Sequence, residues 1–350
     1  MKAPAPEEDT ADDASVETRE HSWEALGVAT PLRPALAVEL YTHLPSTNDL
    51  ALERARRQLP VRPTLIMADR QSAGRGSGGR RWYSGHDGLY LTLLLPRVHA
   101  PPEHLSKFAL LAGLALCETL ETLSLAAAPQ VKWPNDVLIS GSKVAGILVE
   151  SCARAGGPQA KPTTRPEASH PAVPMRGGGV ACGDEDRARE NRSPSVPEAK
   201  TVDGASAGST ANALTHKTLP LAIGLGLNLS SPQAAEAPLG ALETPAAFLA
   251  EHCIREVPPK PWLVGRWLEH FFARLTHIPH DGWQPVIDAL NARLWGRGQR
   301  VLCAPQPSLL GPSALETRRL LGLDVEGYPY FESASGPARI TQGRLVALAR

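Results

Sequence analysis

The chain has 350 residues, enough for about two domains around a sizeable core. Lys+Arg and Asp+Glu both number 36, so the formal net charge is zero and overall charge attracts neither nucleic acid nor an anionic membrane. No apolar run reaches bilayer-spanning length, the acidic N-terminus lacks the apolar segment of a secretory signal, and the five cysteines form no Cys-x-x-Cys pair. These features point to a reducing cytoplasm and exclude a disulfide scaffold or a cysteine zinc site. His99 and His104, separated by two prolines and without a second ligand pair, do not make a metal site either.

Residues 1–36 are rich in proline, alanine and acidic side chains, with Trp23 as the aromatic anchor, and read as a disordered arm. Ala37–Tyr41 predicts a short strand. Ser46-Thr47-Asn48-Asp49 supplies capping side chains for a helix through about Leu59. Thr64–Asp69 predicts a buried strand leading into Gln71, and the apolar run Leu89–Leu95 predicts a central strand covered on both faces. Leu105–Leu123 has helical spacing at Leu105, Phe108, Ala109, Ala112 and Leu116. Val131–Trp133 is the next strand, and Val137–Ser140 with Lys143–Cys152 predicts a hairpin turning across Gly141-Ser142.

Residues 153–214 contain no Leu, Ile, Phe, Tyr or Trp before Leu214, so they cannot bury enough apolar area to offset chain ordering and read as a disordered segment. Leu219–Leu229 resumes the sheet beside the hairpin. Thr244–Glu256, Pro261–Leu275 and Trp283–Leu294 predict amphipathic helices, and Gln299–Arg350 predicts several short strands with turns at Glu326-Gly327 and Ser335-Gly336.

The stretch Gln71–Tyr90 is glycine-rich and basic, with Arg75, Arg80 and Arg81 and no acidic residue before Asp87. Successive glycines let backbone N–H groups turn toward an anion, and guanidinium forks bind phosphate or carboxylate oxygens in pairs. Gly74-x-Gly76-x-x-Gly79 matches the dinucleotide fingerprint, but Trp82, Tyr83 and a strand follow where a helix would have to open. The Walker pattern fails as well, because no Gly-Lys-Ser/Thr closes the loop.

Lys132-Trp133-Pro134-Asn135-Asp136, followed by Lys143-Val-Ala-Gly146-Ile-Leu-Val-Glu150, resembles the biotin–protein ligase family. Ser46-Thr47-Asn48, the Gln71…Gly74-Arg75-Gly76…Trp82 loop and Gly224-Leu-Gly226-Leu-Asn228 complete the set, in the family's order. The resemblance covers roughly residues 40–150 and 218–350. It implies an α+β fold: a class II synthetase-like mixed β-sheet with packing helices over 37–294, and a small C-terminal SH3-like β-barrel over 295–350. Residues 153–214 would be an insertion at a short turn, read as an inert spacer. Some relatives carry an N-terminal DNA-binding domain; the few acidic residues before Val38 leave no room for one, so no DNA binding is expected.

The resemblance also implies two half-reactions: biotin plus MgATP gives biotinyl-5′-AMP and pyrophosphate, and a lysine of a biotin carboxyl carrier protein, such as an acetyl-CoA carboxylase subunit, takes the biotinyl group. ATP and Mg²⁺ are then co-substrate and activator, with no tightly bound prosthetic group, no membrane partner, and a homodimer allowed. Biotin or its adenylate would be held by Ser46, Thr47, Asn48, Gln71, Gly74, Arg75, Gly76, Ser77, Trp82 and Lys143. The ATP and metal side would use Lys132, Asn135, Asp136 and Asn228, with Asp136 as the Mg²⁺ ligand. Bringing a carboxylate to the α-phosphate opposes two anions, and fixed cations such as Lys143 and Arg75 relieve that repulsion.

Each residue also has a plainer role open to it. Ser46 and Thr47 fit a helix N-cap, Asn135 and Asp136 an Asx-turn, Trp82 core packing, and Lys143 a solvated charge beside a turn. Ser77 departs from the Gly-Arg-Gly-Arg-x-Gly-Arg common in bacterial members, which predicts weaker retention of the adenylate. A lipoate- or octanoate-transferring enzyme shares the fold, but its Arg-Arg-x-x-Gly-Gly-Gly run is missing. A biotin-sensing repressor or a non-catalytic adaptor is the other alternative; retention of Lys143 and the loop arginines speaks against the adaptor.

Overall fold

The computed structural model describes residues 36–57, 60–98, 105–151, 218–231, 244–305, 316–333 and 336–348, which belong to one unit. The expected arm before Leu36 and the expected insertion lie outside the described residues, as do Cys152, Cys182, His99, His104 and Ser335.

Alternating apolar positions form strands β1 (Ala37–Leu44), β2 (Thr64–Gln71), β3 (Gly88–Val98), β4 (Gln130–Lys132), β5 (Asp136–Ile139), β6 (Ser142–Ser151) and β7 (Leu219–Asn228). They pair into one sheet in the order β1-β2-β3-β7-β6-β5-β4, with β1 and β2 parallel and the other pairs antiparallel. β3 is an interior strand, buried along most of its length as its apolar run predicts. The two faces of this sheet are packed differently. Leu89, Leu91 and Leu93 of β3 and Leu221, Ile223 and Leu225 of β7 point into a large core under helix α2 (Leu105–Glu121). Helices α4 (Lys260–Asp281) and α5 (Gln284–Arg293) back α2, and the Trp267 indole N–H donates to the Ala112 carbonyl at 3.1 Å. The opposite face carries α1 (Thr47–Arg57) and a smaller cluster around Tyr41, Leu52, Ile66 and Leu94.

Three expectations shift. The hairpin turn consists of Ser140 and Gly141, both at positive φ (51° and 78°), with Ser142 already paired to Ile139. Two positive φ values match the tight-turn geometry whose twist suits a hairpin. The helix expected over Thr244–Glu256 reduces to α3 (Leu249–His252), because Pro245 and Ala247 pair with the backbone of Lys143 instead of with their own segment. The next helix is longer than its apolar pattern suggests, starting at Lys260 behind Pro259 and stopping at Gly282 (φ 70°).

The C-terminal strands are β8 (Arg300–Pro305), β9 (Glu316–Leu323), β10 (Pro329–Phe331), β11 (Ala338–Arg339) and β12 (Gly343–Leu348). They form a five-stranded antiparallel sheet in the order β11-β10-β9-β8-β12, in keeping with the small barrel expected there. This sheet is tied to the first one. Trp295 N–H donates to Val131 O at 2.9 Å, the Trp133 indole donates to Gly327 O at 3.1 Å, and the buried Lys107 ammonium meets Glu326 at 3.0 Å. Among the described residues no helix is long and apolar enough to cross a membrane. The described cysteines are free thiols; burial pushes Cys303 up to about 11 and Cys117 higher still, which keeps both protonated and inert at neutral pH.

Candidate active site

The site lies on the α1 face of the sheet, and its floor comes from strand alternation. In β7, Leu225 and Leu227 face the large core, so Gly224, Gly226 and Asn228 face the other way. These glycines are required by close neighbours. A Cβ on Gly226 would stand 2.5 Å from the Trp82 indole, one on Gly146 of β6 would stand 2.8 Å from the same ring, and one on Gly224 would collide with Asn48 Oδ1. The indole therefore lies against a glycine floor, half-buried, and its buried Nε1–H has no protein partner.

Beside the indole runs a chain of buried polar groups. Ser46 caps α1 by accepting the Asp49 N–H at 3.3 Å. The Thr47 N–H donates to Gln71 Oε1 at 2.8 Å, and the Thr47 hydroxyl reaches the same oxygen at 3.2 Å. Gln71 Nε2 donates to Ser84 Oγ at 2.9 Å. The Thr92 hydroxyl, fully buried in β3, stands 2.8 Å from both Thr47 Oγ1 and Asn48 Oδ1, and the Asn48 amide donates to Glu150 at 2.8 Å. A buried polar group without partners costs about 1–3 kcal/mol, so a chain this complete holds each member in one orientation.

At the far end stand two cations, each already facing a carboxylate. Lys143 and Gly146 are three residues apart, which in a regular strand would put them on opposite faces. The β5–β6 register slips between Val137 and Leu138, leaving Val144 as an extra residue. This bulge reverses the parity and brings Lys143 onto the site face. Its Nζ lies 5.2 Å from the Trp82 ring centre and 2.6 Å from Asp136 Oδ1. Arg75 forms a fork with Glu150 at 3.0 and 2.6 Å and also meets Asp49 at 2.7 Å. Burial works against its charge, but the two carboxylates outweigh burial and hold its guanidinium above its ordinary range. The loop carrying Arg75 is a small hairpin: Trp82 N–H donates to Gly74 O, Gly76 N–H donates to Arg80 O, and Gly78 and Gly79 turn the corner at φ 67° and 75°.

Residues 40–160 match the model of the biotin/lipoate A/B protein ligase family. That match covers about a third of the chain. A bifunctional ligase/repressor BirA of Bacillus spizizenii is 39% identical over 106 residues, 30% of this chain and 32% of that protein. A biotin–[acetyl-CoA-carboxylase] ligase of Mycobacterium tuberculosis is 37% identical over 109 residues, 30% of this chain and 41% of that protein. The match to the first of these curated relatives thus spans about a third of its length. A biotin protein ligase from Aquifex aeolicus, solved with biotin and ATP, superposes with a TM-score of 0.57 at 20% identity, covering 89% of this chain and 98% of that one, which establishes the shared fold.

The residues expected to bind biotin come together: Ser46, Thr47, Asn48, Gln71, Gly74, Arg75, Trp82 and Lys143 line one continuous strip. Gly76 and Ser77 lie in the loop hairpin, where the Arg80 guanidinium folds back on Ser77 Oγ at 2.7 Å. The ATP-side set divides. Asp136 faces Lys143, whereas Asn135 donates to Ile147 O at 2.6 Å and Asn228 donates to Ala247 O at 3.1 Å, both bracing backbone. Lys132 is buried, with Nζ on Thr244 Oγ1 at 2.8 Å and Val346 O at 2.9 Å. Glu150, Thr92 and Asp49 join the site although the sequence reading assigns none of them a binding role. Their signals were present: Glu150 is two alternation steps beyond Gly146, and Thr92 interrupts an otherwise apolar strand.

Proposed function

We propose that this chain is an ATP-dependent biotin–protein ligase. The biotin carboxylate attacks the ATP α-phosphorus, forming an acyl phosphate bond as pyrophosphate leaves. The ε-amine of a carrier-protein lysine then attacks the acyl carbon, and AMP leaves with the electrons of the acyl–oxygen bond. The carboxyl carrier domain of a biotin-dependent carboxylase is the macromolecular partner.

The observation that carries this reading is the bulge at Val144, which sets the Lys143 ammonium beside Trp82, in line with the polar chain from Thr47 to Glu150. In this reading the α1 N-terminus and Gln71 orient the ureido ring, the indole seated on its glycine floor takes the apolar body, and Lys143 receives the carboxylate and α-phosphate. Arg75 would exchange Glu150 and Asp49 for phosphate or acyl oxygens. No nucleophile is needed from this chain, since the partner brings the amine. Among the described residues no group of three or more His, Cys, Asp or Glu could hold a metal. Mg²⁺ takes most of its ligands from phosphate oxygens and water, and in this reading Asp136 would be its protein carboxylate.

Incubation with ATP, biotin and a biotin carboxyl carrier domain, with lipoate as a parallel arm, tests the reading by mass spectrometry of the carrier. Biotin-dependent modification of one carrier lysine is expected. Absence of both transfer and biotin-dependent pyrophosphate exchange would refute the reading, and preference for lipoate would reassign the substrate.

A further inference from the structure

We infer that Lys132 and Thr244 form a positioning joint through which the C-terminal sheet sets the placement of Lys143. This inference rests on the ligase reading for its kinetic consequence, though not for its structural one. Lys132 is 4% exposed, and a buried ammonium is tolerated only with its hydrogen bonds made. Its partners come from opposite directions. One is the Val346 carbonyl at 2.9 Å, on β12 of the C-terminal sheet. Val346 is the extra residue where the β8–β12 register shifts between Leu345 and Ala347, the position at which a strand leaves a residue outside its ladder. The other is the Thr244 hydroxyl at 2.8 Å, and the Trp295 ring lies 5.1 Å away.

Thr244 leads directly into the segment that holds the backbone of Lys143. Lys143 N–H donates to Pro245 O at 2.7 Å, Ala247 N–H donates to Lys143 O at 2.8 Å, and the Asn228 amide donates to Ala247 O at 3.1 Å. Lys132 reaches the other end of Lys143 as well. In the β4–β5 ladder it pairs with Asp136, whose carboxylate holds the Lys143 ammonium at 2.6 Å. Both ends of Lys143 therefore lead back to Lys132, its backbone through the ammonium bond to Thr244 and its head group through the ladder pairing with Asp136. Its contacts with Thr244, Val346 and Trp295 make Lys132 a positioning residue in this inference.

The decisive variants are Thr244→Val, which keeps shape and removes the hydroxyl, and Thr244→Ser, which restores it. In Thr244→Val, kcat for biotin-dependent pyrophosphate exchange should fall about tenfold with KM for biotin nearly unchanged, since small displacements of a reacting group cost rate before binding. Thr244→Ser should recover most of the loss. Amide hydrogen exchange at Lys143 and Ala247 should accelerate in Thr244→Val while amides of β3 keep their protection; a merely destabilised fold would lose both together. Lys132→Met supplies the second variant and carries both readouts if Thr244→Val does not fold. Wild-type kcat and unchanged exchange at Lys143 and Ala247 in a folded variant would overturn the joint. If the wild-type chain shows no pyrophosphate exchange at all, the ligase reading fails, and amide protection alone then decides whether the joint exists.

Discussion

The two faces of the seven-stranded sheet share the same strands and differ in what their alternate positions carry. On the α2 face those positions are Leu, Ile and Val, closed over by three helices, and the packing there provides stability. On the α1 face they become Gly224, Gly226 and Gly146, Thr92, Glu150 and Asn228, and the packing is exchanged for a polar chain and a glycine floor under Trp82. The comparison shows how one strand serves both needs, because neighbouring residues answer to different faces. Substitutions one residue apart should therefore have different consequences.

Leu225 and Gly226 are the sharpest pair. Leu225→Ala opens a cavity in the α2-side core and should cost about 2–5 kcal/mol of stability, with KM for biotin unchanged in whatever fraction folds. Gly226→Ala should leave denaturation near wild type and raise KM for biotin roughly tenfold by displacing the indole. Denaturant titration and steady-state kinetics on the two proteins decide it; similar profiles would dissolve the distinction between faces.

Lys143→Ala tests the charged end of the α1 face. The side chain is partly exposed and forms one ion pair, so the fold should hold. Adenylate formation should drop by about a hundredfold, or about 3 kcal/mol of barrier. Pyrophosphate exchange at wild-type rate would remove Lys143 from the mechanism.

Thr92→Val tests the buried polar chain of the α1 face. It keeps the volume of a fully buried residue and strips Asn48 Oδ1 and Thr47 Oγ1 of a shared partner, which should cost about 1–3 kcal/mol of stability and weaken biotin binding together. A variant as stable as wild type with normal KM would mean the polar chain does not preorganise the site.

The smallest effect is expected at Ser77, outside both faces in the loop hairpin. Ser77→Arg adds a cation and takes away the hydroxyl that the Arg80 guanidinium holds at 2.7 Å, leaving two guanidiniums near the loop tip. Dissociation of pre-formed biotinyl-AMP should slow by a few-fold. Equal off-rates side by side would make Ser77 a neutral departure from the family pattern.

Much of this was legible along the chain because it depends on local period. Leu-Pro-Leu-Ala-Ile-Gly-Leu-Gly-Leu-Asn alternates visibly, so β7 and its glycine floor follow from residues 219–228, and helix α2 follows from its apolar stripe. The ordered motifs also named most of the strip that the fold assembles, from Ser46 to Lys143. What tertiary structure decided is every feature that depends on a partner distant in sequence. The parity of Lys143 is set by the bulge opposite β5, the extended course of Thr244–Ala247 by its pairing with Lys143, and the burial of Lys132 by the arrival of β12. Glu150 becomes the common partner of Asn48 and Arg75 only once α1, β6 and the loop meet. Periodicity tells a strand which residues share a face, but register with a neighbouring strand decides which face that is, and no local sequence contains its neighbour.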